Sequence, residues 1–234
     1  MENNNNPIPR HIVLFPDGNR RWARERGLHP LEGHLAGKNN LEAFLQWVQK
    51  RGVAVVTVFG FSTENWDRSP QEVDYLMTLF ETYLGEKENI IKFQEQGIRV
   101  CVIGQKDRLR SSLQKVITEV EDQTKNNTSF RLNIAVSYGG RWDIMQAAQK
   151  ALKEGIIPQE LTEERFASYL STAGLPDPDL VIRPGGEMRF SNFLLWQAAY
   201  AELYFIEKYW PDFTEQDLDD ALAEYARRSR RFGH

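Results

Sequence analysis

The sequence predicts one α/β domain, a central, mostly parallel six-stranded sheet flanked by helices. Three observations point there. Short runs rich in β-branched and aromatic residues recur along the chain, each bounded by turn residues. Longer segments with helical periodicity separate them, the order expected of β–α units in a sheet covered on both faces. No internal repeat and no Pro/Gly/Ser-rich linker divides the 234 residues, a length that a single hydrophobic core can serve.

Taken in order, residues 1–10 with their Asn run read as a disordered lead-in, and the domain as 11–234. The expected strands are 11–15, 53–59, 98–103, 131–136, 180–182 and 203–205. Helical periodicity predicts helices over 34–51, 71–96, 107–124, 141–154, 163–170 and 215–231. Gly52 and Gly97 follow the first two helices as C-terminal stops. Ser69-Pro70 opens the second with a serine N-cap and a proline at the first helical position.

The 29 Lys+Arg against 33 Asp+Glu leave a net charge of −4, which argues against a general nucleic-acid binder. The longest apolar run, Val53–Phe59, is far short of the ~20 residues of a membrane-spanning helix. A single cysteine, Cys101, excludes an internal disulfide framework or a thiolate metal cage and points to reducing cytosol.

Open parallel sheets bind ligands beyond the carboxyl ends of their strands. After the first strand stands Asp17-Gly18-Asn19-Arg20-Arg21-Trp22, then Gly33-His34-Leu35-Ala36-Gly37. A carboxylate beside two arginines suits an anion held partly by Mg2+ and partly by guanidinium forks. The same string also reads as an ordinary Asp-Gly-Asn turn with solvated arginines. After the second strand come Ser62, Asn65, Trp66 and Arg68, and after the fourth Tyr138-Gly139-Gly140-Arg141. That glycine pair fits either amides that approach a phosphate or a tight strand-to-helix turn. After the fifth, Arg183-Pro184-Gly185-Gly186 leads to Arg189 and Ser191, a second potential anion cradle. Walker, dinucleotide-fingerprint and nucleophile-elbow strings are absent. The residues alone therefore suggest a magnesium-assisted enzyme acting on two phosphorylated substrates.

At these residues the sequence resembles the cis-prenyltransferase family. The match runs from His11 to Gly233, and five segments match family motifs in order: Asp17–Ala23, Gly33–Gly37, Phe61–Arg68, Tyr138–Asp143, and Asp179–Arg183 continuing to Glu202–Phe205. The resemblance implies condensation of isopentenyl diphosphate with an allylic diphosphate, farnesyl or geranyl, to give a medium-chain Z-polyprenyl diphosphate such as undecaprenyl diphosphate. It implies that Asp17 holds Mg2+ with Glu202 near the metal, and that Gly18, Asn19, Arg20, Arg21, Trp22 and Arg68 bind the allylic diphosphate. His34, Ser62 and Asn65 would orient or polarise the reacting groups, and Trp66 would shape the wall. Arg183, Arg189 and Ser191 would bind isopentenyl diphosphate, with Arg231 and Gly233 contributing from the C-terminus.

The resemblance also implies a homodimer, cytoplasmic and at most peripheral at a membrane. It implies an apolar product tunnel lined by the helix carrying Val73, Leu76, Met77, Phe80, Tyr83 and Leu84. Gly60 stands where a bulky residue is expected in short-product relatives. Pro16, Pro30 and Met188 depart from the usual pattern, and a proline before the motif aspartate also occurs in relatives that join two allylic units irregularly. A short-chain or irregular synthase is thus the alternative, and a non-catalytic partner subunit a third reading.

Overall fold

Every ladder in the sheet is parallel, and its order places the three chemistry-bearing strand ends side by side. The computed structural model describes residues 7–228. Arg231, Gly233 and the Asn run lie outside them. The strands are β1 (His11–Leu14), β2 (Val55–Ser62), β3 (Ile98–Ile103), β4 (Phe130–Tyr138), β5 (Leu180–Pro184) and β6 (Glu202–Ile206). They lie in the order β3-β4-β2-β1-β5-β6. Because β1 sits between β2 and β5, the loops after these three strands converge on one edge.

All four β1 residues are buried. Ile12 and Leu14 enter one apolar cluster and Val13 the other, so β1 reads as an unbroken apolar run. Ahead of it Pro9 is buried, and the Arg10 and His11 N–H groups donate to the Asp179 carboxylate at 2.7 and 3.0 Å. β2 starts two residues later than expected because Val53 N–H is spent on the Val48 carbonyl of the preceding turn. It continues to Ser62, and its register against β4 shifts between Phe59 and Phe61 and again between Phe61 and Ser62. Such a bulge re-aims side chains beside a site.

The helices are α1 (Asn19–Glu25), α2 (Pro30–Lys50), α3 (Pro70–Gly85), α4 (Lys87–Glu95), α5 (Ser111–Thr124), α6 (Gly140–Lys153), α7 (Glu163–Ala167) and α8 (Glu215–Arg227). Three departures from expectation have local causes. α1 has seven residues of which only Ala23 is buried, so it carries no apolar stripe to reveal it. The expected 71–96 helix breaks at Glu86, whose extended backbone (φ −65°, ψ 127°) ends α3 and precedes α4. Asn89 Nδ2 then donates to the Tyr83 carbonyl at 3.0 Å, one of those the break frees. α8 ends at Arg227, short of 231, with Arg228 extended and its guanidinium donating to Glu202 and to the Leu203 carbonyl, both at 2.9 Å.

The α3 stripe packs against the sheet. Leu76, Met77, Tyr83 and Leu84 are buried, and Val73 and Phe80 pack onto the same cluster. A Cβ on Gly60 would lie 3.0 Å from the Phe80 ring, so the missing side chain is what lets Phe80 approach β2 so closely.

Candidate active site

Two connected hollows open at the carboxyl edge, about 630 and 600 Å³ in volume. They share Pro16, Asp17, Asn19, His34 and Arg68. The first adds Gly18, Arg20, Arg21 and Arg24; the second adds Ser62, Asn65, Arg183, Arg189, Ser191 and the apolar Phe59, Gly60 and Leu76.

Asp17 lies at the junction. Its Oδ1 accepts from the Gly18 N–H at 2.7 Å and faces Arg21 at 3.6 Å, while Oδ2 accepts from Arg183 at 2.8 Å. Gly18 holds φ at +92°, where a side chain would be strained, and its Cβ would strike Tyr209 at 2.6 Å. That turn starts α1 immediately after Asp17. The Gly33/Gly37 spacing is also explained: a Cβ on either would fall 2.1 Å from the Asn19 carbonyl oxygen or 2.4 Å from Asn19 Oδ1. α2 can therefore press on the start of α1, which brings His34 to the cleft.

Ser62 and Asn65 are locked by a reciprocal cap at the end of β2. Ser62 Oγ accepts from the Asn65 N–H at 3.2 Å, and Asn65 Oδ1 accepts from the Ser62 N–H at 3.1 Å. Arg183 is almost wholly buried. It donates to the Arg189 carbonyl and, at 2.9 Å, to Ser191 Oγ; its guanidinium lies 4.7 Å over the Phe15 ring, and Nε has no partner among the described residues. The charge of this buried guanidinium is met by Asp17. Arg189 is exposed and pairs with Glu187, whose other oxygen faces Arg21 at 3.4 Å.

The Tyr138–Asp143 motif serves packing. The Gly140 N–H donates to the Asn192 carbonyl at 2.6 Å and the Arg141 N–H to Asn192 Oδ1 at 2.9 Å, so these two amides at the start of α6 are spent on Asn192. Asn192 Nδ2 reaches Glu64 at 3.0 Å. Ser191, Asn192 and Leu194 all adopt positive φ, a strained loop tied down by this network.

Three expected residues do not line the cleft. Trp22 turns its indole N–H to Asp212 at 2.7 Å, under Arg26. Glu202 opens β6, level with Leu180 and Ile12 of the neighbouring strands, whereas Asp17 follows the carboxyl end of β1. The Glu202 carboxylate pairs with Arg228 at 2.9 Å. Trp66 stands behind the wall, donating to Ser137 Oγ at 2.9 Å and packing edge-on against Phe61.

Among the described residues no group of three or more His, Cys, Asp or Glu could hold a metal. A lone Asp17 beside arginines still fits Mg2+, which takes one or two carboxylates and completes its shell with substrate phosphate oxygens and water.

The family model "Putative undecaprenyl diphosphate synthase" matches residues 15–233. The chain belongs to this prenyltransferase family. It is 48% identical over 226 residues to an isoprenyl transferase of Neisseria meningitidis serogroup A, covering 97% of this chain and 90% of that protein. It is 43% identical over 233 residues to the Legionella pneumophila ditrans,polycis-undecaprenyl-diphosphate synthase ((2E,6E)-farnesyl-diphosphate specific), covering 98% and 97%. The crystal structure of lavandulyl diphosphate synthase from Lavandula x intermedia in complex with dimethylallyl diphosphate superimposes with a TM-score of 0.92 at 39% identity, covering 97% of this chain and 99% of that one.

Sequence reasoning missed Glu72. This buried carboxylate of α3 accepts from His34 Nε2 at 3.1 Å and from Arg68 at 2.9 Å and faces Arg20 at 3.7 Å. Its spacing of four from Arg68 was the available signal. Burial pushes the Glu72 carboxyl up, but the His34 hydrogen bond and the charges of Arg68 and Arg20 outweigh it and hold it below the ordinary value. His34 is lowered, chiefly by burial, and is neutral at pH 7.

Proposed function

We propose that this prenyltransferase condenses isopentenyl diphosphate with farnesyl or geranyl diphosphate, extending the chain with cis double bonds to a medium-length polyprenyl diphosphate. The observation that carries the reading is the meeting of two arginine cradles at Asp17, with Phe59, Gly60 and Leu76 forming an apolar mouth beside them. One diphosphate would sit on the Gly18–Arg21 turn and Arg68, the other on Arg183, Arg189 and Ser191. Asp17 would hold Mg2+, which when bound supplies positive charge to the departing diphosphate. Arg20, Arg21 and Arg68 add fixed donors there, stabilising charge as it develops on the leaving group. Arg183 and Ser191 set the second diphosphate so that its double bond faces the allylic carbon, the orientation part of the rate. The growing chain would pass Gly60 along the α3 face. The protein would act as a cytosolic homodimer touching membranes only at its surface; among the described residues no helix is long and apolar enough to cross one.

A second reading has its own support. The lavandulyl diphosphate synthase likeness and Pro16 favour irregular coupling of two allylic units. One assay separates them. Purified protein receives Mg2+, radiolabelled isopentenyl diphosphate and each of dimethylallyl, geranyl, farnesyl and geranylgeranyl diphosphate, and the products are sized. The irregular reading predicts product from dimethylallyl diphosphate alone, followed in a parallel reaction with the label on that substrate and no isopentenyl diphosphate. No incorporation of isopentenyl diphosphate with any primer would sink the elongation reading.

A further inference from the structure

Glu72 has no atom given to the fold's regular hydrogen bonding beyond its own backbone, yet it touches side chains from three elements that line the cleft. Its Oε1 takes both His34 Nε2 of α2 and the Arg68 guanidinium that precedes α3, and Oε2 faces Arg20 of α1. Its place is fixed by α3, whose N-terminus is capped by Ser69 Oγ accepting from the Glu72 N–H at 3.3 Å. An ionised carboxylate can only accept, so the hydrogen shared with His34 must sit on Nε2. Nδ1 is then an unprotonated acceptor; no described residue donates to it, and His34 borders both hollows.

We propose that Glu72 is the positioning residue of the first cradle, fixing His34 as the Nε2–H tautomer with Nδ1 free toward the cleft and holding Arg68 and Arg20 over the diphosphate position. The charge balance supports the role. One carboxylate against two guanidiniums and a neutral imidazole leaves one positive charge for the ligand while holding all three side chains in one geometry. The groups facing His34 are Glu72 from α3, Arg68 from the preceding turn and Arg20 from α1. Burial lowers the imidazole and the two arginines lower it further, while Glu72 opposes them. Removing the carboxylate charge should therefore lower His34 still more. The inference rests on the reading that this cradle takes the allylic diphosphate.

The test begins with the wild-type protein and needs no activity. Nitrogen-15 NMR of labelled imidazoles, with His34→Gln identifying the signal among four histidines, should show the Nε2–H tautomer and a pKa below the usual 6.5. An Nδ1–H tautomer overturns the proposal, even if Glu72 variants do not fold. In Glu72→Gln the tautomer preference should weaken and the His34 pKa should fall. Turnover should drop about 10–100-fold and the KM for the allylic diphosphate rise several-fold, with the KM for isopentenyl diphosphate within about twofold. Glu72→Asp should recover part of the turnover. Turnover and allylic KM within about twofold of wild type in Glu72→Gln would equally overturn it. A wild-type protein that elongates no primer would remove the proposed function and leave the tautomer result standing.

Discussion

The two cradles are built on opposite principles. In the first, Arg20, Arg21 and Arg68 are partly exposed and are held by carboxylates, Glu72 for two of them and Asp17 with Glu187 for the third. In the second, Arg183 is buried and is held by a carbonyl, a hydroxyl, Asp17 and an aromatic face, on a loop whose positive-φ residues are fixed by Asn192. The first is an electrostatic clamp, with Arg20 and Arg68 held on buried Glu72 and Arg21 between Asp17 and Glu187. The second is a preformed socket. Long exposed side chains lose entropy on binding, whereas a buried one has already lost it in folding.

The sharpest test is at the junction. Asp17→Ala should lose about 1,000-fold or more of turnover with little change in thermal midpoint, read by steady-state kinetics and calorimetry; wild-type turnover would refute the metal assignment. Arg183→Ala should cost about 100-fold or more in kcat/KM for isopentenyl diphosphate and also lower stability, because Ser191 and Asp17 lose a donor. Arg68→Ala should cost about 10–100-fold, on the allylic side, with a smaller stability loss than Arg183→Ala, since Glu72 keeps His34 and Arg20 as partners. Crossed KM effects would break the division between the cradles. Asn192→Ala removes the bonds to Arg141 and Glu64 and should cost about 1–2 kcal/mol in denaturant unfolding, with a rise in the isopentenyl diphosphate KM that leaves the allylic one in place.

A last effect, on stability rather than turnover, lies at the other end of the sheet. Burial lowers His11 to about 4, with its ring between the Pro176 carbonyl and Thr57 Oγ1. The folded state therefore favours the neutral ring. Its contribution is complete above the unfolded value near 6.5 and is lost as pH falls toward 4, about 3 kcal/mol in all. His11→Asn should flatten the fall in thermal midpoint across that window; an unchanged slope would exclude His11 as its source.

Much of this was legible because alternation and strand ends are local properties. The six strands, the Ser69 cap and the glycine stops at Gly52 and Gly97 follow from residues within one turn of each other. The arginines could be read as a site because the fold class says where ligands bind. The break at Glu86 was hidden, since apolar spacing continues across it and the Asn89 bond to the Tyr83 carbonyl exists only once the chain has turned there. α1 was hidden by its shortness.

What the sequence determined by itself is the parallel α/β architecture, the family motifs and the gathering of positive charge at strand ends in an acidic chain. Tertiary structure decided which charges meet. It set Glu72 beneath His34 and Arg68, spent the Gly140 and Arg141 amides on Asn192, turned Trp22 to Asp212 and left Glu202 at the far level of the sheet. Periodicity reports which face of an element is buried. The partner of a charge depends on strand order and on the close helix approach that Gly33 and Gly37 allow, and neither is written in any single segment.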